Sequence, residues 1–373
     1  MKLAEPSVDV RTLHHASHSH LLAEVPVSGR AGSRLDAIIV PTARPVEVLR
    51  HVLRVGITVA CPVVVLCSKE ATAEQARTLA DRLGAAALAV DVTDALAGFL
   101  PSSAIDRLLR RYGLCSTSDL SLKRNLGLTL ARGSGWQRVL FLDDDIIIDH
   151  PEQLARAAGL LDDYRAVGLA NSGYQDNSVV CHAYRAVGGN QDTFIGGGAM
   201  MIDTLRTRSF FPNIYNEDWF FLLGSGVPFR AARAGVMRQR AYDPFANPAR
   251  AAGEELGDTL AEGLFWLLDY GKSIDTAVNG FWGDALYRRR QFIDYILKKA
   301  PSERIERSLE AARGRSADIS HKLCNDFLDA WKKDLQRWRD FLEFDVPVSS
   351  GPEKFAGEVG LSHLIHRSET LAA

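Results

Sequence analysis

The sequence predicts an α/β protein: a mostly parallel sheet flanked by helices, followed by a helical C-terminal region. Three observations carry this. Short apolar runs alternate with amphipathic helical patterns between residues 37 and 142. Those runs are apolar on both faces, as strands covered on both sides by helices must be. Beyond about residue 245 long helical periodicities stand alone. The expected units are a poorly specified leader over 1–35, an α/β domain over 36–245 and a helical region over 246–373.

The leader holds His14, His15, His18 and His20 among Ser and Ala. Such a cluster can bind a metal; the plainer reading is a solvated arm. The first strand runs over 37–40 and stops at Pro41, and a helical pattern follows through Val46, Leu49, Val52 and Leu53. The β-rich run 63–66 is the second strand. A helix is expected over 70–83, closed by Gly84, and a third strand over 87–92. A further helix over 120–131 is broken by Gly133, Ser134 and Gly135, and the next strand spans 138–142. Later helices are expected over 259–268, 286–298 and 317–344. In the last, Ile319, Leu323, Phe327, Trp331 and Leu335 keep near-helical spacing, a stripe for burial against the core or against a second copy in a homodimer. The tail from Ser349 reads as loosely ordered. Right-handed crossovers in such a sheet put a ligand at the carboxyl ends of the strands.

Composition excludes several classes. At 46% hydrophobic and 24% charged residues the chain is globular in type. A formal net charge of -2 gives no footing for nucleic acid or an acidic membrane. No apolar run approaches the length of a membrane span. The first residues lack a signal-peptide pattern, and five scattered cysteines form no CxxC pair, so a reduced cytoplasmic location is expected.

The most informative segment is 139–146, VLFLDDDI, where an apolar strand runs into Asp143, Asp144 and Asp145. In an extended chain Asp143 and Asp145 share a face. Two such carboxylates repel by about 1 kcal/mol in water and more in a drier site. A divalent cation removes that repulsion, and hard oxygen ligands suit Mn2+ or Mg2+. The alternative is a solvated strand end followed by a turn.

A strand followed by Asp-x-Asp resembles the metal and nucleotide-diphosphate motif of GT-A (Rossmann-like) glycosyltransferases, and is similar to glycosyltransferase family 2. Three further segments stand in that family's order. Pro41, Thr42 and Arg44 resemble the end of its opening strand, which cradles the nucleotide. Lys123, Arg124 and Asn125 resemble its Arg-Asn element upstream of the acidic strand. Gly196, Gly197 and Gly198 are followed about twenty residues later by Glu217, Asp218 and Trp219, which resemble its Glu-Asp motif. Each has a plainer reading: a surface loop, a solvated basic turn, and a helix start with core aromatics behind it.

The resemblance covers roughly residues 36–240 and implies a metal-dependent, hexosyltransferase-type enzyme. It would move a sugar from a nucleotide-diphosphate sugar to a small-molecule or glycan hydroxyl. Asp143 and Asp145 would hold the metal, with Asp143 and Asp144 also near the nucleotide. The three glycines, Glu217 and Trp219 would face donor and acceptor. Asp218 would be the general base of an inverting reaction, although retaining enzymes share the fold. A late histidine ligand would be sought at His182, His321, His363 or His366, with no motif selecting one. The acidic segment 254–258 stands to cap a helix or line the cleft. Rival readings are a haloacid dehalogenase-like phosphatase and a non-catalytic sugar-nucleotide-binding protein. The first places its Asp-x-Asp on the opening strand, whereas here a whole sheet precedes it.

Overall fold

The computed structural model describes residues 9–27, 32–224, 230–362 and 365–372. Its sheet is built from β1 (Leu22–Glu24), β2 (Ala37–Thr42), β3 (Val63–Cys67), β4 (Ala87–Asp91), β5 (Arg138–Leu142), β6 (Ile146–Ile147), β7 (Ala166–Asn171), β8 (Ala199–Asp203), β9 (Ala231–Gln239) and β10 (Ile365–Arg367). The order is β1-β9-β7-β8-β5-β2-β3-β4-β10, with β6 paired to β9. β2, β3, β4 and β5 are mutually parallel, as are β1, β7 and β9; β8 joins the two groups by running antiparallel to β5 and β7.

The expected two-sided burial is met residue by residue. Along β2 and β3, Ile38, Val40, Val63 and Val65 enter the core on one face, and Ile39, Val64 and Leu66 enter the core on the other. The first face is covered by the helices Arg50–Thr58 and Ala73–Leu83. The second is covered by Leu120–Gly133 and the C-terminal helices. Ala73–Leu83 starts three residues later than its pattern suggests, because Thr72 caps it in a reciprocal box with Gln75 and Gly84 closes it at φ 68°. Leu120–Gly133 lies close against β2: a Cβ on Gly127 would stand 2.5 Å from Ile39 Cγ2. That close approach aims the second turn of the helix at the strand ends.

Several expectations need correction. The C-terminal helices run Pro248–Asp269, Asn279–Leu297, Glu303–Asp318 and His321–Asp340. The single pattern over 317–344 is thus two helices, broken where Ile319 turns extended and Ser320 caps its successor. The stripe from Ile319 to Leu335 is buried within this chain, with Phe220 against Phe327 and Trp331. The tail is packed rather than loose. The Ser349 amide donates to the Gly133 carbonyl (2.7 Å), Phe355 is buried, and β10 pairs with β4. Nor is the described part of the leader a solvated arm: His14 and His18 are buried, and β1 extends the sheet edge. Among the described residues no helix is long and apolar enough to cross a membrane.

Candidate active site

Loops after β2, β5, β7 and β9, and the start of β8, surround one cleft of about 410 Å3. This is the carboxyl edge of the parallel strands, where such sheets bind ligands.

The aspartate triplet departs from the extended geometry expected of it. β5 ends at Leu142, the Asp143 amide donates to the Gly198 carbonyl (2.9 Å), and the Ile146 amide closes a turn onto the Asp143 carbonyl (3.1 Å). The carboxylates therefore go to different partners. Asp143 receives Arg124 on both oxygens at 3.0 Å. Asp144 is buried and accepts from Thr42 Oγ1 (2.6 Å) and Arg44 (2.5 Å). Asp145 meets Arg44 at 3.0 Å. Arg44 itself is 50% exposed at the mouth of the cleft.

Arg124 is buried and pairs with Glu217 as well as Asp143. Burial opposes its charge, but those carboxylates outweigh burial and hold its pKa above the ordinary value. Burial pushes Asp143 up to about 6, with Arg124 pulling the other way and Asp145 adding to the rise. Glu217 is pushed up to about 8, again first by burial. Asp144 is raised by burial against the pull of Thr42 and Arg44.

The glycine triplet has a local cause. A Cβ on Gly197 would stand 2.4 Å from Arg124 Cζ, and one on Gly196 would stand 2.6 Å from Asp218 Oδ2. The chain's own charged groups press on this backbone, which only glycine permits. The Gly197 amide donates to Asp218 Oδ2 (2.7 Å) and the Trp219 amide donates to Oδ1 (2.8 Å), so both oxygens of Asp218 are fixed. Asn216, at φ 61°, turns the chain into the helix Glu217–Gly224. Glu217 and Asp218 thereby fall in a first helical turn, where free amides favour carboxylates.

The sequence-derived residues divide into two groups. Arg44, Arg124, Asp143 and Asp145 face the cleft with Gly196, Gly198, Glu217, Asp218 and Trp219. Pro41 and Thr42 are buried on β2, and Gly197 sits behind Arg124. Lys123 is buried, and its ammonium donates to the Thr42 carbonyl (2.8 Å), Ser68 (2.6 Å) and Asp119 (3.1 Å). Asn125 clasps the Phe211 backbone through both ends of its amide (2.7 and 2.9 Å).

Among the described residues none of the late histidines lines the cleft. His182 stacks on Tyr174, His321 is exposed at a helix start, and His366 sits on β10 beside Glu74; His363 lies outside the described residues. The histidine that does line it is His18. Asp176, Tyr242 and Arg250 also line the cleft and were not foreseen. A faint signal existed for Asp176, which follows the apolar run of β7 much as Asp143 follows β5. Solvent reaches Asp176, yet the surrounding protein and the nearby carboxylates raise its pKa. The acidic segment 254–258 does both things foreseen of it. Glu254 accepts from the Val179 amide (2.8 Å), capping the helix Val179–Ala186, and Asp258 reaches the cleft.

No family model matches this chain, and no curated protein matches it. Among solved structures the chain is similar to the mannosyltransferase PcManGT from Pyrobaculum calidifontis in complex with GDP-Man and Mn2+. The identity is 14% over 84% of this chain and 87% of that chain, with a TM-score of 0.42.

Proposed function

We propose that this chain is a metal-dependent glycosyltransferase that moves a sugar from a nucleotide-diphosphate sugar to a hydroxyl acceptor with inversion. The observation that carries the reading is the carboxylate surplus around the cleft. Asp143, Asp145, Glu217 and Asp218 gather there with Asp144 buried beside them, and among the described residues the guanidinium groups ion-paired to them are those of Arg44 and Arg124. A buried excess of like charge is costly without a further cation. The hard oxygens of Asp143 and Asp145, both open to the cleft, fit Mn2+ or Mg2+. When bound, such an ion offsets negative charge on the departing nucleoside diphosphate.

The chain's own residues do the rest. Arg44, half exposed at the mouth, is free to exchange a carboxylate for a phosphate oxygen. Arg124 fixes Asp143 by a two-oxygen contact. Two backbone amides aim Asp218, which accepts the proton of the attacking hydroxyl. Trp219 offers a partly buried ring to a sugar face.

Asp218→Asn keeps the shape and one of the two backbone contacts through its carbonyl oxygen, while its NH2 group faces the other amide. It is expected to bind donor normally and to lose turnover by roughly 100- to 10,000-fold. Near-normal turnover removes Asp218 from this role. If Asp176→Asn is the variant that stops turnover instead, the proton acceptor is Asp176.

A further inference from the structure

Three of the leader's four histidines gather at one place, while His14 pairs with Gln191 and stacks on Phe292. His15 and His18 converge on a single carboxylate, Asp269, 2% exposed at the last position of the helix Pro248–Asp269. His15 Nδ1 contacts Asp269 Oδ2, His18 Nδ1 stands 2.6 Å from the same oxygen, and His20 Nε2 stands 3.1 Å from Oδ1. The ligand atoms of His15, His18 and Asp269 lie within 4.8 Å of one another.

Three further observations single this cluster out. Asp269 Oδ1 is buried and makes no hydrogen bond, although His20 Nε2 is at hydrogen-bonding distance. A cation shared by the two atoms would satisfy this buried oxygen. Next, a carboxylate at a helix C-terminus meets the negative end of the helix dipole, and Glu262 lies two turns earlier on the same helix. The place is electrostatically poor for Asp269 unless positive charge is supplied. Finally, the rings are already oriented. His15 stacks on Trp266 (5.1 Å, 13° between planes), and His18 is wedged against Phe265 and Trp219. His18 presents Nδ1 to the cluster while its Nε2 meets Glu262 at 3.1 Å. A carboxylate on the far nitrogen is the arrangement that orients metal-bound imidazoles.

We propose that His15, His18, His20 and Asp269 form a zinc site that ties the leader to the helix Pro248–Asp269 beside the cleft. Imidazole nitrogen with one carboxylate is the ligand set of zinc rather than of Mg2+ or Mn2+. Zinc–nitrogen bonds run about 2.0–2.1 Å, and the ligand atoms of His15, His18 and Asp269 already lie close enough together to share one ion. The His20 ring, 56% exposed, is the entry side. His18 and Ser17 line the cleft, so the ion would fix one wall of it.

The test uses the full chain, stripped with a chelator, re-equilibrated with Zn2+ and analysed for metal content, affinity and the visible spectrum of the Co2+ form. One zinc per chain and a tetrahedral cobalt spectrum are expected, unchanged in Asp145→Ala. His18→Gln should bind at least roughly 100-fold more weakly, and Glu262→Gln roughly 10- to 100-fold more weakly. Where His18→Gln fails to fold, His20→Gln decides, because its half-exposed ring can be replaced without opening the core. It should keep the fold by circular dichroism and lose the tetrahedral cobalt signature. Absence of zinc from the unaltered protein, or unchanged affinity in either folded histidine variant, overturns the proposal. No nucleotide enters the experiment, so a chain that holds zinc yet transfers no sugar would separate this inference from the transferase reading.

Discussion

The two ends of the cleft answer the same electrostatic problem in different ways. At the aspartate turn, contiguous carboxylates follow an apolar strand, and arginines from two other elements hold them apart. At the histidine cluster, one carboxylate ends a helix, and imidazoles from a distant segment close over it. Guanidinium keeps its charge at any working pH, so the bracing of the aspartate end does not depend on protonation. Imidazole can give up its proton and become a ligand, so the histidine end is convertible. The two proposed cation sites rest on this difference in donor chemistry: carboxylate oxygens gather at one end, and imidazole nitrogens at the other.

The largest effect should come from Asp145→Ala. It is expected to abolish Mn2+-dependent binding of nucleoside diphosphates, read by calorimetry with and without the ion, while the histidine end is untouched. Undiminished Mn2+-dependent binding would erase the division of labour between the ends. Next is Arg124→Met, which strips a buried cation from Asp143 and Glu217. Removing one partner of such a pair typically costs about 3–5 kcal/mol, so urea unfolding should shift by a comparable amount. A stable Arg124→Met protein would mean that the aspartate end is not braced as described.

Gly197→Ala is a milder probe of the same brace. Its added methyl would meet the Arg124 guanidinium at 2.4 Å, and overpacking of this kind costs about 1–3 kcal/mol. The melting temperature should fall; an unchanged value would show that Arg124 can move freely off the glycine.

The smallest effect concerns imidazole itself. His18 is opposed by burial, yet Asp269 and Glu262 lift its pKa to about 9. His182 has no such partner: burial, with help from Arg250 and Arg185, pushes it down to about 4. Its folded pKa lies below the unfolded value near 6.5, so the unfolded chain takes up the proton first as pH falls. Stability should therefore decline from about pH 6.5 towards 4, and the decline should be shallower in His182→Gln, measured by melting temperature against pH. Parallel profiles would show that His182 is not held neutral.

What the sequence disclosed follows from how local each signal is. β2, β3 and β5 are continuous apolar runs, and Asp143 to Asp145 adjoin one of them, so strand, ligand edge and acidic site could be read together. β9 was invisible because its buried positions are mainly alanines interleaved with Arg233, Gly235 and Arg238. The turn at Asp143 was also hidden, since pairing with Gly198 rather than local preference ends the strand. Lys123 and Asn125 carry polar groups suited to a nucleotide, yet the fold spends them on backbone carbonyls, an amide and a carboxylate. The histidine cluster was half legible: four imidazoles announced themselves, but Asp269, some 250 positions away, becomes the partner of three of them only through the fold.

Both borders of the sheet are short strips of three residues, β1 on one side and β10 on the other. β10 is fastened to a strand far upstream, with Ser368 bonded to Ala87 across 281 positions. Exposed strand borders invite pairing between molecules, and short strips laid along them block it. A polypeptide clipped behind β1 or ahead of β10 would keep most of its interior and yet present a bare seam along β9 or β4, so the first symptom of such damage would be self-adhesion rather than unfolding.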